Sequence, residues 1–141
     1  MSRISGVPGR STAGLRLSVH RKQSATCPGG GGTVIFTGAT SAVRSLGGAI
    51  GFTAAKFAAR GMTMEIARKF GPEGVHVAHV VIDGQIDAPG VGERFPDRGD
   101  ETSLDPDEMA GTYWHLVEQD DLGTQPFERH ITNGLQNSEF V

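Results

Sequence analysis

From residue 32 onward the apolar positions fall into blocks of different period. Thr33-Val-Ile-Phe-Thr37 is short and β-branched, and Val75-His-Val-Ala-His-Val-Val-Ile82 is nearly continuously apolar. Runs of this kind predict strands buried on both faces of a parallel sheet. Between them, in Gly51–Phe70, the apolar residues Ala55, Ala59, Met62, Ile66 and Phe70 recur at three-and-four spacing. That spacing predicts one stripe along a helix of about five turns. Gly71-Pro72 is the expected stop, with Gly as a left-handed cap and Pro unable to continue the helix. Strand, helix and strand in this order make a βαβ unit, whose crossover is right-handed in nearly all cases.

The pattern changes on either side of that unit. From Asp83 to Leu104 the chain is rich in Gly, Pro and Asp without a period, which predicts a long loop of the kind that covers binding surfaces. Asp105-Pro106-Asp107-Glu108 is then a helix start: Asp as N-cap, Pro at the first position, acids in the first turn. The helix is expected to run to Glu118 and to present Met109, Tyr113, Trp114 and Val117, with Tyr113 a core or pocket-wall aromatic. Phe127–Thr132 is expected to form a short last strand, followed by a polar tail. Residues 1–31 are dominated by Ser, Gly, Arg and Pro and show no period. A disordered basic tail, an N-terminus created by a mistaken start or frameshift, an organellar transit peptide and a basic arm for an acidic partner all fit that composition. The expected fold is therefore α/β: a partial, Rossmann-like (doubly wound) parallel sheet over residues 32–141, with a βαβ unit, a C-terminal helix and a short strand.

In open parallel sheets ligands bind beyond the carboxyl ends of the strands. Here those ends are Gly38-Ala39-Thr40-Ser41 and Asp83-Gly84-Gln85-Ile86. The first turn of the long helix starts on the same side, and Phe52 and Lys56, four apart, share one of its faces. The run GTVIFTGATSAVRSLGGAIGFTAAKFAARGMTMEIARKFGPEGVHVAHVVIDGQI resembles the second half of the short-chain dehydrogenase/reductase fold. In that family a Ser after the fifth strand and a Tyr-x-x-x-Lys on the next helix engage the substrate carbonyl and the nicotinamide ribose. The resemblance implies that Lys56 is the Lys, that Phe52 stands at the Tyr position and that Ala39 stands at the Ser position. Thr40 and Ser41, one and two residues on, are the candidate replacement hydroxyls. Asp83, Gly84 and Ile86 fall where the family lines the nicotinamide, so NAD or NADP is the implied cofactor, and a small carbonyl or alcohol the implied substrate. Phe cannot donate a proton at any pH. A positioned acid/base is typically worth about 10²–10⁴-fold and one oxyanion-type donor about 10²–10³-fold. Impaired or absent turnover is the expectation, and a non-catalytic binding or oligomerisation subunit is the alternative.

The family's phosphate-binding Gly-rich turn has no good counterpart. A TGxxxGxG spacing from Thr37 needs glycines where the chain has Ala42 and Arg44. The chain therefore reads as the C-terminal half of such a domain, with its nucleotide-cradling half missing. A sheet built from so few strands with one crossover helix is expected to leave an edge and a face uncovered, which favours aggregation. Ala54, Ala55, Ala58, Ala59 and Gly61 give helix 51–70 a smooth side for a second copy, or for ordinary packing on the sheet.

Composition narrows the partners. Of 13 Lys and Arg, five (Arg3, Arg10, Arg16, Arg21, Lys22) precede residue 31, whereas all 16 acids follow it. An acidic body argues against nucleic acid, which calls for clustered bases. No apolar run approaches a membrane span. The single Cys27 excludes an internal disulfide and a cysteine metal cluster and fits a reducing, cytoplasmic setting. His76 and His79, three apart on a strand, point to opposite faces and cannot share one metal. They read as structural histidines.

Overall fold

The computed structural model describes residues 31–89, 103–119, 121 and 123–134, and the backbone of 16–21. In chain order the elements are β1 (Arg16–Arg21), β2 (Gly32–Ala39), a 3₁₀ turn (Thr40–Ala42) and α1 (Ile50–Phe70). A second 3₁₀ turn (Gly71–Glu73), β3 (Val75–Asp83), β4 (Gln85–Ile86) and β5 (Ser103–Leu104) follow, then α2 (Pro106–Glu118) and β6 (Glu128–Thr132). The main sheet has the order β1-β2-β3-β6. Its β2–β3 and β3–β6 pairs are parallel, Gly38 facing Val81 and Ile82 facing Ile131. This is the α/β, Rossmann-like parallel arrangement that the apolar runs predict, with α1 as the β2-to-β3 crossover.

The strand β3 is central because it is apolar on both sides. Ala78 and Val80 pack with Ile35 of β2 and with Leu116 and Val117 of α2, joined by Ile82, Tyr113 and Ile131. The residues of opposite parity, Val77, His79 and Val81, are buried on the face that α1 covers. The two histidines do separate: His76 bonds Leu116 O and Pro126 O on the α2 side, while His79 meets Glu128 on the α1 side. Burying each apolar side chain contributes about 1.5–3 kcal/mol. Both faces of the sheet therefore carry a helix, in contrast to the uncovered face expected from one crossover.

Several local expectations differ from what is observed. Within the segment expected to lack structure, Arg16–Arg21 runs antiparallel to β2 and pairs Arg16 with Thr37 through Arg21 with Gly32. Inter-strand hydrogen bonds need only backbone groups, so a composition without a hydrophobic period does not exclude them. The rest of residues 1–31 lies outside the described residues, save Gly31. Gly71 is right-handed at φ −54°, and Pro72 sits inside a further 3₁₀ turn. The left-handed residue is Gly74, at φ 86°. On α1 the fully buried residue is Thr63, whose Oγ1 donates to Ala59 O at 2.8 Å, while Met62 is exposed. A β-branched hydroxyl that bonds its own helix needs no outside partner and can face the sheet. The loop after β3 is not without strands, since β4 and β5 pair in parallel across it. Finally, α2 starts as expected, Asp105 Oδ1 accepting from Asp107 N at 2.8 Å, but Trp114 is 57% exposed.

Candidate functional site

The carboxyl ends of β2 and β3 frame a cavity of about 450 Å³ lined by Gly38, Ala39, Ile82, Gly84, Gln85, Ile86 and Ala88. Its walls are almost wholly apolar, because both strand ends are short residues or aliphatic ones. Gly84 is closely covered there: a Cβ would stand 3.0 Å from Leu104 Cδ1 of the neighbouring β5, which would have to give by a few tenths of an ångström.

The expected replacement hydroxyls lie beside this cavity but are engaged or enclosed. Thr40 Oγ1 donates to Asp83 Oδ1 at 2.6 Å. The Arg44 guanidinium reaches Asp83 Oδ2 at 3.1 Å and Oδ1 at 3.3 Å. Asp83, expected to contact cofactor, thus ties the 3₁₀ turn after β2 to the end of β3. Ser41 is buried in the same turn. The arrangement braces the two strand ends, and a hydroxyl donating to Asp83 is not aimed at a reacting oxygen.

Lys56 lies one turn into α1, whose body packs against that turn and against β2 and β3. Its ammonium is 5.5 Å from the Phe52 ring centroid, so the aromatic at the expected Tyr position faces the Lys but carries no proton. Burial lowers the Lys56 pKa. No carboxylate pairs with Lys56 among the described residues. Tyr113, on the α2 side, shares a hydrogen bond with Thr37 Oγ1 at 2.8 Å, and burial raises its pKa. That is the core role: Tyr113 packs against the Ile35–Leu116 cluster, joins α2 to β2 and is not among the residues lining the cavity.

A second polar group was missed at the sequence level. Arg60 of α1 grips Glu128 of β6 through Nε at 2.6 Å and Nη2 at 3.0 Å. His79 Nδ1 lies 2.9 Å and His130 Nε2 3.1 Å from the same carboxylate. These hydrogen bonds overcome desolvation and bring the Glu128 pKa down to about 2. Arg60 and Glu128 are separated by much of the chain, so no spacing links them; the signal was only a histidine, His79, within the apolar strand β3. Among the described residues no group of three His, Cys, Asp or Glu could hold a metal ion, and no helix is long and apolar enough to cross a membrane.

A parallel β–α–β arrangement with a pocket at the strand ends defines a part of a Rossmann-like domain. Compared with known proteins, no family model and no curated protein matches this chain. Solved structures do. A short-chain dehydrogenase from Rhodopseudomonas palustris is 33% identical, with a TM-score of 0.53, over 71% of this chain and 37% of that one. An alcohol dehydrogenase from Thermococcus sibiricus, complexed with 5-hydroxy-NADP, has a TM-score of 0.62 at 21% identity, over 77% of this chain and 45% of its own. An NADPH-bound short-chain oxidoreductase from Pseudomonas aeruginosa, described as containing an atypical catalytic center, also has a TM-score of 0.62, at 18% identity, over 76% of this chain and 47% of its own. The last two show the fold alone. The chain is a partial member of the short-chain dehydrogenase/reductase family, spanning less than half the length of each of these relatives.

Proposed function

We propose that this chain carries the nicotinamide-facing part of an NAD(P)-dependent oxidoreductase site for a small carbonyl or alcohol, with impaired or no turnover on its own. The observation that carries it is Lys56, a half-buried cation without a carboxylate partner among the described residues, on the helix that packs over the two strand ends. The apolar cavity beside Gly84 and Ile86 suits a flat aromatic ring; Lys56 stands outside its lining, on α1, and its ammonium suits ribose hydroxyls reaching out of the cavity. Those residues fit the nicotinamide end of the cofactor, which would supply the hydride when bound. Lys56 would hold the ribose, Ile86 and Gly84 would line the ring, and the Asp83–Thr40–Arg44 brace would keep the strand ends in place. Phe52 and Ala39 supply no proton and no oxyanion donor, so carbonyl reduction is expected to run slower than in a complete site by at least the ~10²-fold of one such group.

Reduced nicotinamide mononucleotide, which lacks the adenosine half, is the appropriate probe. Titrated into the labelled protein, it should shift the amides of Gly38, Gly84 and Ile86, and Lys56→Ala should weaken that binding about tenfold, or about 1.4 kcal/mol. Unmoved amides at these three positions would sink the reading. A non-catalytic subunit is the second reading, and the exposed side of α1 favours it: Ile50 is 89% exposed, and Phe57 and Met62 stand on the solvent side. Assembly through helix 51–70 without any response to the mononucleotide would select it.

A further inference from the structure

We infer that His79 is a positioning residue for the cavity edge: as a neutral imidazole it seats the end of β2 at Gly38, and it releases that end when Nε2 takes up a proton. The ring is 1% exposed and sits on the α1 face of the central strand. Its Nδ1 lies 2.9 Å from Glu128 Oε2. A carboxylate only accepts, so Nδ1 carries the proton and Nε2 keeps a bare lone pair. That nitrogen is buried and has no hydrogen-bond partner. A Cβ built on Gly38 would stand 2.4 Å from Nε2 and 2.6 Å from Cε1, so the ring rests directly on the glycine α-carbon. Gly38 in turn lines the cavity at the strand ends.

The groups around the ring determine its response. Desolvation is the largest influence and disfavours the cation; Glu128 of β6 favours it, while Arg60 of α1 and His130 of β6 oppose it. From β2 the ring meets Gly38, which carries no charge. The Glu128 carboxylate is already held at both oxygens by Arg60, so it does not act as a free counter-ion. A proton from solvent on Nε2 would direct an N–H donor at an α-carbon, where no acceptor stands. An unsatisfied buried donor is costly, and the relief available is for the ring and the β2 end to separate. No covalent bond forms or breaks other than the N–H at Nε2. The device acts on the cavity edge whatever the cavity binds.

The test uses the full chain without ligand, following backbone amides and histidine ring signals by NMR from about pH 8 to about pH 4.5, the range in which imidazoles titrate. Gly38 and Ala39 amides are expected to shift with the midpoint of the His79 ring, which burial moves below the ordinary imidazole value. Protection of the Gly38 amide, corrected for intrinsic exchange, should fall about tenfold across that midpoint. His79→Asn, whose amide can still donate to Glu128 but does not titrate, should abolish the coupled shift. Gly38 and Ala39 amides that stay fixed while His79 titrates, a ring that stays neutral down to acid unfolding, or the same titration in His79→Asn would each overturn the inference. Should that variant not fold, Glu128→Gln serves: the midpoint and the amide shifts are expected to move together to lower pH, and an unmoved midpoint or uncoupled amides would overturn it.

Discussion

Phe52 and Gly38 show how single atoms decide what this site can do. Replacing the Tyr hydroxyl by a hydrogen leaves a ring that packs on Lys56 but has nothing to titrate. Phe52→Tyr combined with Ala39→Ser is expected to raise any nicotinamide-dependent carbonyl reduction by about 10²-fold or more, measured as initial rates against the unaltered chain. At Gly38 the constraint is steric. Gly38→Ala would drive a methyl into the His79 ring, 2.4 Å from Nε2, and should destabilise by about 1–3 kcal/mol in urea unfolding. His79→Ala in the same chain should recover part of that loss. Stability should also depend on pH in two windows. The folded-state pKa of His79 is lowered by burial, so its contribution is complete above the ordinary value of about 6.5 and is lost as pH falls below it. Glu128 is depressed from 4.5 to about 2. Its contribution is present above the ordinary carboxylate range and is lost as pH falls from there toward about 2. Denaturation midpoints across the acid range check both.

At the scale of the element, α1 and α2 are held in different ways. In α2 the start is written locally: Asp105 accepts from Asp107 N and Pro106 is at the first position. Asp105→Ala should therefore cost about 1 kcal/mol. In α1 no side chain caps the N-terminus, and the helix depends on its packing over β2 and β3 and on the Arg60–Glu128 pair. Removing the guanidinium in Arg60→Ala would leave a largely buried carboxylate with only histidine partners, at a cost of about 1–3 kcal/mol. A Cβ added at Gly61 would meet nothing within 4 Å, so Gly61→Ala should stabilise α1 by about 0.5–1 kcal/mol through helix propensity alone. Thermal unfolding measures each of these.

For the whole molecule, the question is which apolar surface meets another chain. Leu46, at 66% exposure, lies in the loop before α1, Ile50, at 89%, is its first residue, and Phe57 and Met62 continue along its outer side. Self-association through this helix would bury them, and Ile50→Glu with Phe57→Glu should then shift the sedimentation profile to the monomer. Among the described residues both faces of the sheet carry a helix, and the β2 edge is paired by β1. An unpaired strand edge is a template for aggregation. The antiparallel pairing of Arg16–Arg21 is therefore expected to limit aggregation, and a chain starting at residue 30 should scatter more light on concentration than the full one.

Local chemistry was enough to read α1, α2, the strands β2, β3 and β6 and the place of the pocket. Apolar period, a capping aspartate and the strand-end rule act over a few residues, so they are written in order along the chain. The family was legible for the same reason, because Lys56 keeps its spacing from Phe52 and Ala39. Contacts between residues far apart were not legible. The bracing of Thr40 and Arg44 on Asp83, the gathering of Arg60, His79 and His130 around Glu128, the seat of His79 on Gly38 and the pairing of β1 all join distant segments. Each depends on which faces the sheet turns toward which helix, and that is decided only when the chain closes on itself.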